Sequence, residues 1–172
     1  ARIETPQVAK AILATRLPVV ALDLSESQLA SESPWSRMCQ LTSDSEGAVR
    51  LVVAHLVEKG LRHFGFVGIA GKIWSDRRQE AFVRQVEGAG FEVHVYPCAH
   101  RRRLPWSREQ AVLARWLAGL PKPAGILACN DDRGREVLAA CRQAKLREAD
   151  FRIRARSRRS FRLSWTNWTR SP

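Results

Sequence analysis

The sequence has no uninterrupted stretch of about 18 uncharged apolar residues, the length that a membrane-spanning helix needs. Its first residues, ARIETPQVAK, contain neither the apolar core of a signal peptide nor an initiator methionine. We therefore expect a chain that does not enter a membrane and that begins inside a longer protein. With 172 residues, 45% of them hydrophobic, it is long enough for one domain with a substantial core.

Cysteine and histidine are both scarce, with four of each. No two cysteines have the C-x-x-C spacing, and the histidines are too sparse nearby to complete a zinc site. Cys129 and Cys141 fall on apolar stretches, so we expect buried thiols and no disulfide. This pattern indicates a reducing compartment, the cytoplasm, and we expect neither a metal nor a cofactor.

Motifs of the common enzyme classes are also missing. The sequence contains no G-x-S-x-G nucleophile, no Walker-type phosphate loop, no H-E-x-x-H and no G-x-G-x-x-G after a strand. The histidines show no spacing to a serine or cysteine that would make a nucleophile and its base. We therefore expect a protein that is not an enzyme.

Positive charge is abundant but uneven. Residues 147–172 hold eight arginines and two acidic residues, and so carry half of the net charge of +12. The segment shows no apolar period, so we assign it no helix or strand and interpret it as an aberrant or disordered tail. Its arginines are interleaved with Phe161, Trp165 and Trp168, which leaves open an alternative function, nucleic-acid binding through the tail. The basic loop at 100–106, HRRRLPW, is interpreted as solvated charge, with contact to DNA phosphate as the alternative.

Along residues 1–146, apolar periodicity alternates between the helical and the extended type. It predicts five helices and four strands, the strands at 19–22, 63–68, 92–97 and 125–129. Hydroxyl side chains mark four of the predicted helix starts, at Thr5, Ser43, Ser75 and Ser107. Residues 25–40 are rich in serine and are predicted to form a loop. Such alternation is typical of an α/β fold, a parallel sheet with helices on both faces.

Two of the predicted strands end in polar clusters. Trp74, Ser75 and Arg78 follow one of them, and Asn130 and Asp131 follow another. In an open parallel sheet, ligands bind outside the carboxyl ends of the strands. A hydroxyl, an amide, a carboxylate, a guanidinium and an indole face are groups that bind polyols, so the pattern predicts a sugar site. Asp131 also suits a helix cap and Trp74 a loop anchor, and both alternatives stay open.

Three stretches are similar to the lactose/galactose-repressor family: HLVEKGLRHFGFVG (55–68), SDRRQEAFVRQVEGAGFEV (75–93) and PAGILACNDDRGREVLAACRQAKL (123–146). The details RHFGFVG and IWSDRRQEAF look closest to xylose-responsive regulators of the arabinose-regulator (AraC/XylS) type. This resemblance, over 1–146, implies a periplasmic-binding-protein-like sugar sensor of two α/β lobes. In it, Ser75, Arg78 and Asn130 stand at the positions that contact the effector. It also implies a homodimer in the full-length protein, with DNA bound by a domain outside this chain.

The chain departs from that family at both ends. The family has another strand and helix before residue 1, so the N-terminal lobe is expected to be incomplete. After Leu146 the family continues with an apolar strand that ends in a sugar-binding aspartate, whereas this chain has an arginine-rich stretch. A shifted reading frame would produce such a stretch, and a genuine tail is the alternative. A sheet that lacks this strand would expose an edge, so we expect marginal stability and weak sugar binding.

Overall fold

The computed structural model describes residues 6–24, 39–97, 106–147 and 150–155. Its helices are α1 (Pro6–Ala14), α2 (Ser45–Glu58), α3 (Ile73–Gly88), α4 (Trp106–Gly119) and α5 (Asp131–Gln143). Its strands are β1 (Val20–Leu22), β2 (Cys39–Leu41), β3 (His63–Val67), β4 (Val93–Val95), β5 (Ala124–Ala128) and β6 (Phe151–Ala155). Within these ranges, no helix has both the length and the apolar character that crossing a membrane would require.

Four strands form a parallel sheet in the order β4-β3-β5-β6, and β1 pairs in parallel with β2. The chain leaves β3 toward one side of the sheet, forms β4, and then passes back over β3 to form β5 on the other side. The strand order therefore reverses between β3 and β5. At such a switch point the loops diverge and leave a crevice at the carboxyl ends of the two strands. The predicted parallel sheet is confirmed.

The two faces of the four-stranded sheet carry separate hydrophobic cores. On one face, α2 and α3 cover Phe64 and Phe66, and Phe82 of α3 packs with its ring 5.9 Å from that of Phe66. On the other face, α4 and α5 cover Val67 and Ile126. Every residue of β5 is buried, as expected for a strand between two helical layers. The helices predicted on both faces are therefore confirmed.

Three predicted helix starts shift by one or two residues. Asp44, and not Ser43, caps α2, where its carboxylate accepts a hydrogen bond from the Gly47 N–H at 2.8 Å. A carboxylate is favoured there because it also meets the positive end of the helix dipole. Ser75 and Ser107 lie inside the first turns of α3 and α4, which begin at Ile73 and Trp106.

A short strand ends the segment that was predicted to be a loop. Residues Cys39–Leu41 form β2, with Cys39 beside Val20 and Leu41 beside Leu22 of β1. The loop prediction for 25–40 is therefore wrong for its last two residues, because three residues are too few to show a strand period. Residues 25–38 lie outside the described part of the chain.

A strand also forms where the sequence was assigned none. β6 lies parallel to β5, with Phe151 beside Ala124 and Ile153 beside Ile126. Phe151 is buried in the core under α4 and α5, whereas Arg152 is exposed. The FRIRA segment therefore alternates between apolar and arginine residues with the period of a half-buried strand. The expectation of a sheet that lacks a strand after Leu146 is wrong.

The rest of the arginine-rich segment, 156–172, lies outside the described residues. It includes Phe161, Trp165 and Trp168, so nucleic-acid binding through the tail stays a prediction. The same holds for the division of the chain at residue 146 and for most of the basic loop, since 98–105 are not described either.

Candidate functional site at the carboxyl ends of β3 and β5

The five residues predicted to bind a sugar lie around the switch point of the sheet. The loop after β3 leads into α3, whose first two turns carry Trp74, Ser75 and Arg78. The loop after β5 leads directly into α5, which Asn130 caps and Asp131 begins. Both helices therefore point their N-termini, the positive ends of their dipoles, at the same edge of the sheet.

Ser75 fixes the loop that follows β3. Its side chain is buried, at 1% exposure, and its Oγ accepts a hydrogen bond from the Ile69 N–H at 2.9 Å. The loop passes so close to α3 that a Cβ on Gly68 would lie 3.0 Å from the Ser75 Oγ and 2.8 Å from the Phe66 ring. Ser75 therefore holds the loop after β3 in place through this hydrogen bond.

Arg78 reaches across the switch point. Its Nη1 donates to the carbonyl oxygen of Cys129, the first residue after β5. Its guanidinium carbon also lies 5.1 Å from the centroid of the Trp74 ring, the geometry of a cation–π contact. Arg78 is thereby tied to the residue that precedes Asn130, and Trp74 lies beside Arg78.

Asn130 is both the cap of α5 and a polar group at the rim of the crevice. Its Oδ1 accepts a hydrogen bond from the Arg133 N–H at 2.9 Å, as an N-cap side chain does. Within the described part of the chain its amide nitrogen makes no hydrogen bond, so this end is available to donate to a guest. Asp131 is half-buried in the first turn, where the helix dipole favours its charge.

A second wall is formed at the carboxyl end of β1. Arg77 Nη2 donates to the Leu24 carbonyl at 3.0 Å, which ties α3 to this end of β1. Arg77 Nη1 and Asp23 Oδ1 are both buried and have no hydrogen-bond partner among the described residues. A buried polar atom without a partner costs roughly 1–3 kcal/mol, so a polar guest that bonded these two atoms would relieve this cost.

The sequence analysis did not predict that the carboxyl end of β1 contributes to the site. Neither Asp23 nor Arg77 is among the residues that the sequence analysis predicted to bind a sugar. Nothing in the spacing brings residue 23 next to residue 77, because the contact depends on how the β1–β2 pair lies against α3.

The most buried charged group near the crevice is Arg133, which the sequence analysis also missed. Its side chain donates to the Gly68 carbonyl at 3.0 Å, to Glu109 at 2.7 Å and to Glu136. Burial alone would lower the pKa of this guanidinium, but the two carboxylates raise it above its usual value. The only sequence signal is its position three residues after the capping Asn130.

Cys129, at the floor of the crevice, is kept as a neutral thiol. Burial raises its pKa, and this outweighs the opposing effects of Ser75, Arg133 and Arg78. Among the described residues, no group of three or more histidine, cysteine or acidic side chains is placed to hold a metal ion. The crevice therefore offers fixed hydrogen-bond donors and acceptors beside an indole ring.

A family model, the periplasmic binding protein-like domain, matches residues 53–147. The xylose operon regulatory protein of Haemophilus influenzae is 30% identical over 149 residues, which cover 85% of this chain and 38% of that protein. The chain thus spans less than two fifths of that curated relative.

Solved structures agree on the fold. A xylose-binding transcription activator superposes with a TM-score of 0.72 at 27% identity, covering 88% of this chain and 40% of its own. A periplasmic binding protein/LacI transcriptional regulator from Alkaliphilus metalliredigens, complexed with D-xylulofuranose, superposes with a TM-score of 0.62 at 18% identity. The match covers 80% of this chain and 48% of that structure's chain. With the family match extending over more than half of its length, the chain belongs to the periplasmic-binding-protein-like domain family.

Proposed function

We propose that this chain is the sugar-sensing part of a transcription regulator and that D-xylose is its effector. The observation that carries the proposal is the convergence of Trp74, Arg78 and Asn130 at the switch point of the sheet. The names of the relatives, xylose operon regulatory protein and xylose-binding transcription activator, support the choice of a pentose.

In this proposal the sugar lies between the carboxyl ends of β1, β3 and β5. Arg78 and the Asn130 amide nitrogen donate to its hydroxyls, and Asp131 accepts from them. The unpartnered Asp23 Oδ1 and Arg77 Nη1 face the same guest from the β1 side, which would satisfy both atoms. Trp74 covers a carbon–hydrogen face of the ring, and Ser75 acts indirectly by fixing the loop after β3.

The regulator around this domain belongs to the proposal as well. Sugar binding would favour a closed arrangement of two lobes, and this closure would bias a DNA-binding part outside the chain. The resemblance to AraC/XylS-type xylose regulators points to helix-turn-helix DNA binding, a homodimer and a cytoplasmic location. The expected activity is binding, without catalysis.

Calorimetric titration of D-xylose into the full chain tests the proposal. Arg78→Met removes the bond to Cys129 and the contact with Trp74, so we expect at least a roughly tenfold loss of affinity, the size of one charged hydrogen bond. Arg135→Met is the matched control, because Arg135 is exposed and forms an exposed ion pair with Asp132. Equal D-xylose binding by wild type and Arg78→Met would contradict the proposed site.

A further inference from the structure

Arg133 lies at the junction of three elements. It is 6% exposed, and each nitrogen of its guanidinium group donates a hydrogen bond: Nε to Gly68, Nη2 to Glu109 and Nη1 to Glu136. A buried arginine is costly unless its charge and its donors are paired, so a hydrogen bond at each of the three nitrogens indicates a defined geometry.

Two of these bonds join another element to α5, whereas Glu136 lies in α5 itself. Gly68 directly follows β3, and the next residue, Ile69, donates its N–H to Ser75 Oγ. The peptide group between Gly68 and Ile69 is therefore held at both of its polar atoms. Its carbonyl accepts a hydrogen bond from Arg133, and its N–H donates one to Ser75. Glu109 lies in the first turn of α4, so the same guanidinium also ties that helix to α5.

Arg133 also orients Asn130. The backbone N–H of Arg133 donates to Asn130 Oδ1, which turns the amide oxygen toward the helix. The amide nitrogen is thereby left at the rim, so that Asn130 presents a donor to the crevice.

We propose that Arg133 is a positioning residue, which holds the loop after β3 and the start of α4 in the geometry that lets the crevice bind a sugar. Its effect on sugar binding rests on the proposed function, whereas its effect on the loop does not. Lysine cannot replace it, because a single ammonium group cannot reproduce the planar fork that meets Gly68, Glu109 and Glu136 together.

The test compares Arg133→Met and Arg133→Lys with two controls. Arg135→Met removes an exposed arginine from the same helix, and Val137→Ala destabilises the buried face of α5 without touching the crevice. Two quantities are measured by NMR in the full chain: the hydrogen-exchange rate of the Ile69 amide and the affinity for D-xylose. Both Arg133 variants should speed the Ile69 exchange and weaken D-xylose binding by roughly tenfold, the size of one charged hydrogen bond.

The controls separate positioning from general stability. Val137→Ala should lower the melting temperature and leave D-xylose affinity unchanged, and Arg135→Met should change neither. The proposal is overturned if the Arg133 variants alter Ile69 exchange and D-xylose affinity no more than Val137→Ala does. If wild type binds no D-xylose, the proposed function fails, and the Ile69 exchange rate alone then decides the role of Arg133. If Arg133→Met does not fold, Arg133→Lys decides it.

Discussion

The four-stranded sheet and the β1–β2 pair, the two sides of the proposed sugar site, differ in how deeply they are buried. β3 and β5 lie between two cores, and Phe66 and Ile126 are completely buried. In the β1–β2 pair, Val20 is 50% exposed and Leu41 is 57% exposed. The contact that ties α3 to the end of β1 is a polar one, from Arg77 to the Leu24 carbonyl. The four-stranded sheet is thus buried on both faces, whereas the β1–β2 pair, with the residues that follow β1, buries Ala21 and Leu24, leaves half of Val20 in water and is tied to α3 by a hydrogen bond.

The largest expected effect comes from the core of the four-stranded sheet. Phe66→Ala should cost about 3–5 kcal/mol of unfolding free energy, because a buried ring that packs on Phe82 is lost. Val20→Ala in β1 should cost less than about 1 kcal/mol, because half of that side chain is already in water. Urea denaturation followed by circular dichroism measures both. Similar costs would remove the contrast between the two sides of the proposed site.

The second effect concerns the link between the two sides. Arg77→Met removes the hydrogen bond to the Leu24 carbonyl, so we expect the free energy of local opening in β1 to fall by about 1–3 kcal/mol. Hydrogen exchange should therefore become faster in β1 and change little in β3. Arg84→Met is the control on the same helix, since Arg84 is largely exposed and pairs with Glu46. An unchanged exchange rate in β1 would show that the pair is held by other contacts.

A third experiment separates the two roles of Asn130. Asn130→Ala should lower the unfolding free energy by about 1 kcal/mol, as Asp44→Ala should at the start of α2, because each removes an N-cap. Asn130→Asp keeps the capping oxygen and removes the amide donor, so it should restore stability but not D-xylose binding. If Asn130→Asp binds D-xylose like the wild type, the amide nitrogen does not contact the sugar.

Much of the four-stranded sheet was predictable from the sequence, because β3 and β5 are apolar runs flanked by amphipathic helices. The polar residues near this edge of the sheet were predictable as well, since Ser75, Arg78 and Asn130 lie in the segments that follow those strands. β6 was missed because Arg152 and Arg154 dominate the composition of its five residues and hide a period of two. The contacts of Arg77 and Arg133 could not be predicted, because they join residues 53 and 65 positions apart.

The smallest effect concerns the cysteines. Cys39 in β2 is exposed, whereas Cys129 is buried and its pKa is raised, so iodoacetamide at mildly alkaline pH should label Cys39 and spare Cys129. The folded state favours the neutral thiol, so the pKa of Cys129 is higher in the folded chain than in the unfolded chain. The stability that this difference contributes is fully present below the pKa of the unfolded state, and it is lost as the pH rises through the pKa of the folded state. Mass spectrometry after digestion measures the labelling. Equal labelling of both cysteines would show that the end of β5 opens readily.

The central claim is that the crevice between the carboxyl ends of β3 and β5 binds a pentose. An NMR titration of the isotope-labelled chain with D-xylose tests it most directly, because chemical shifts report weak binding residue by residue. We predict shifts concentrated at Ile69, Trp74 and Arg78 and at the side-chain amide of Asn130, with none in the exposed turns of α2. The absence of any shift at millimolar D-xylose, or shifts that lie away from this edge of the sheet, would contradict the claim.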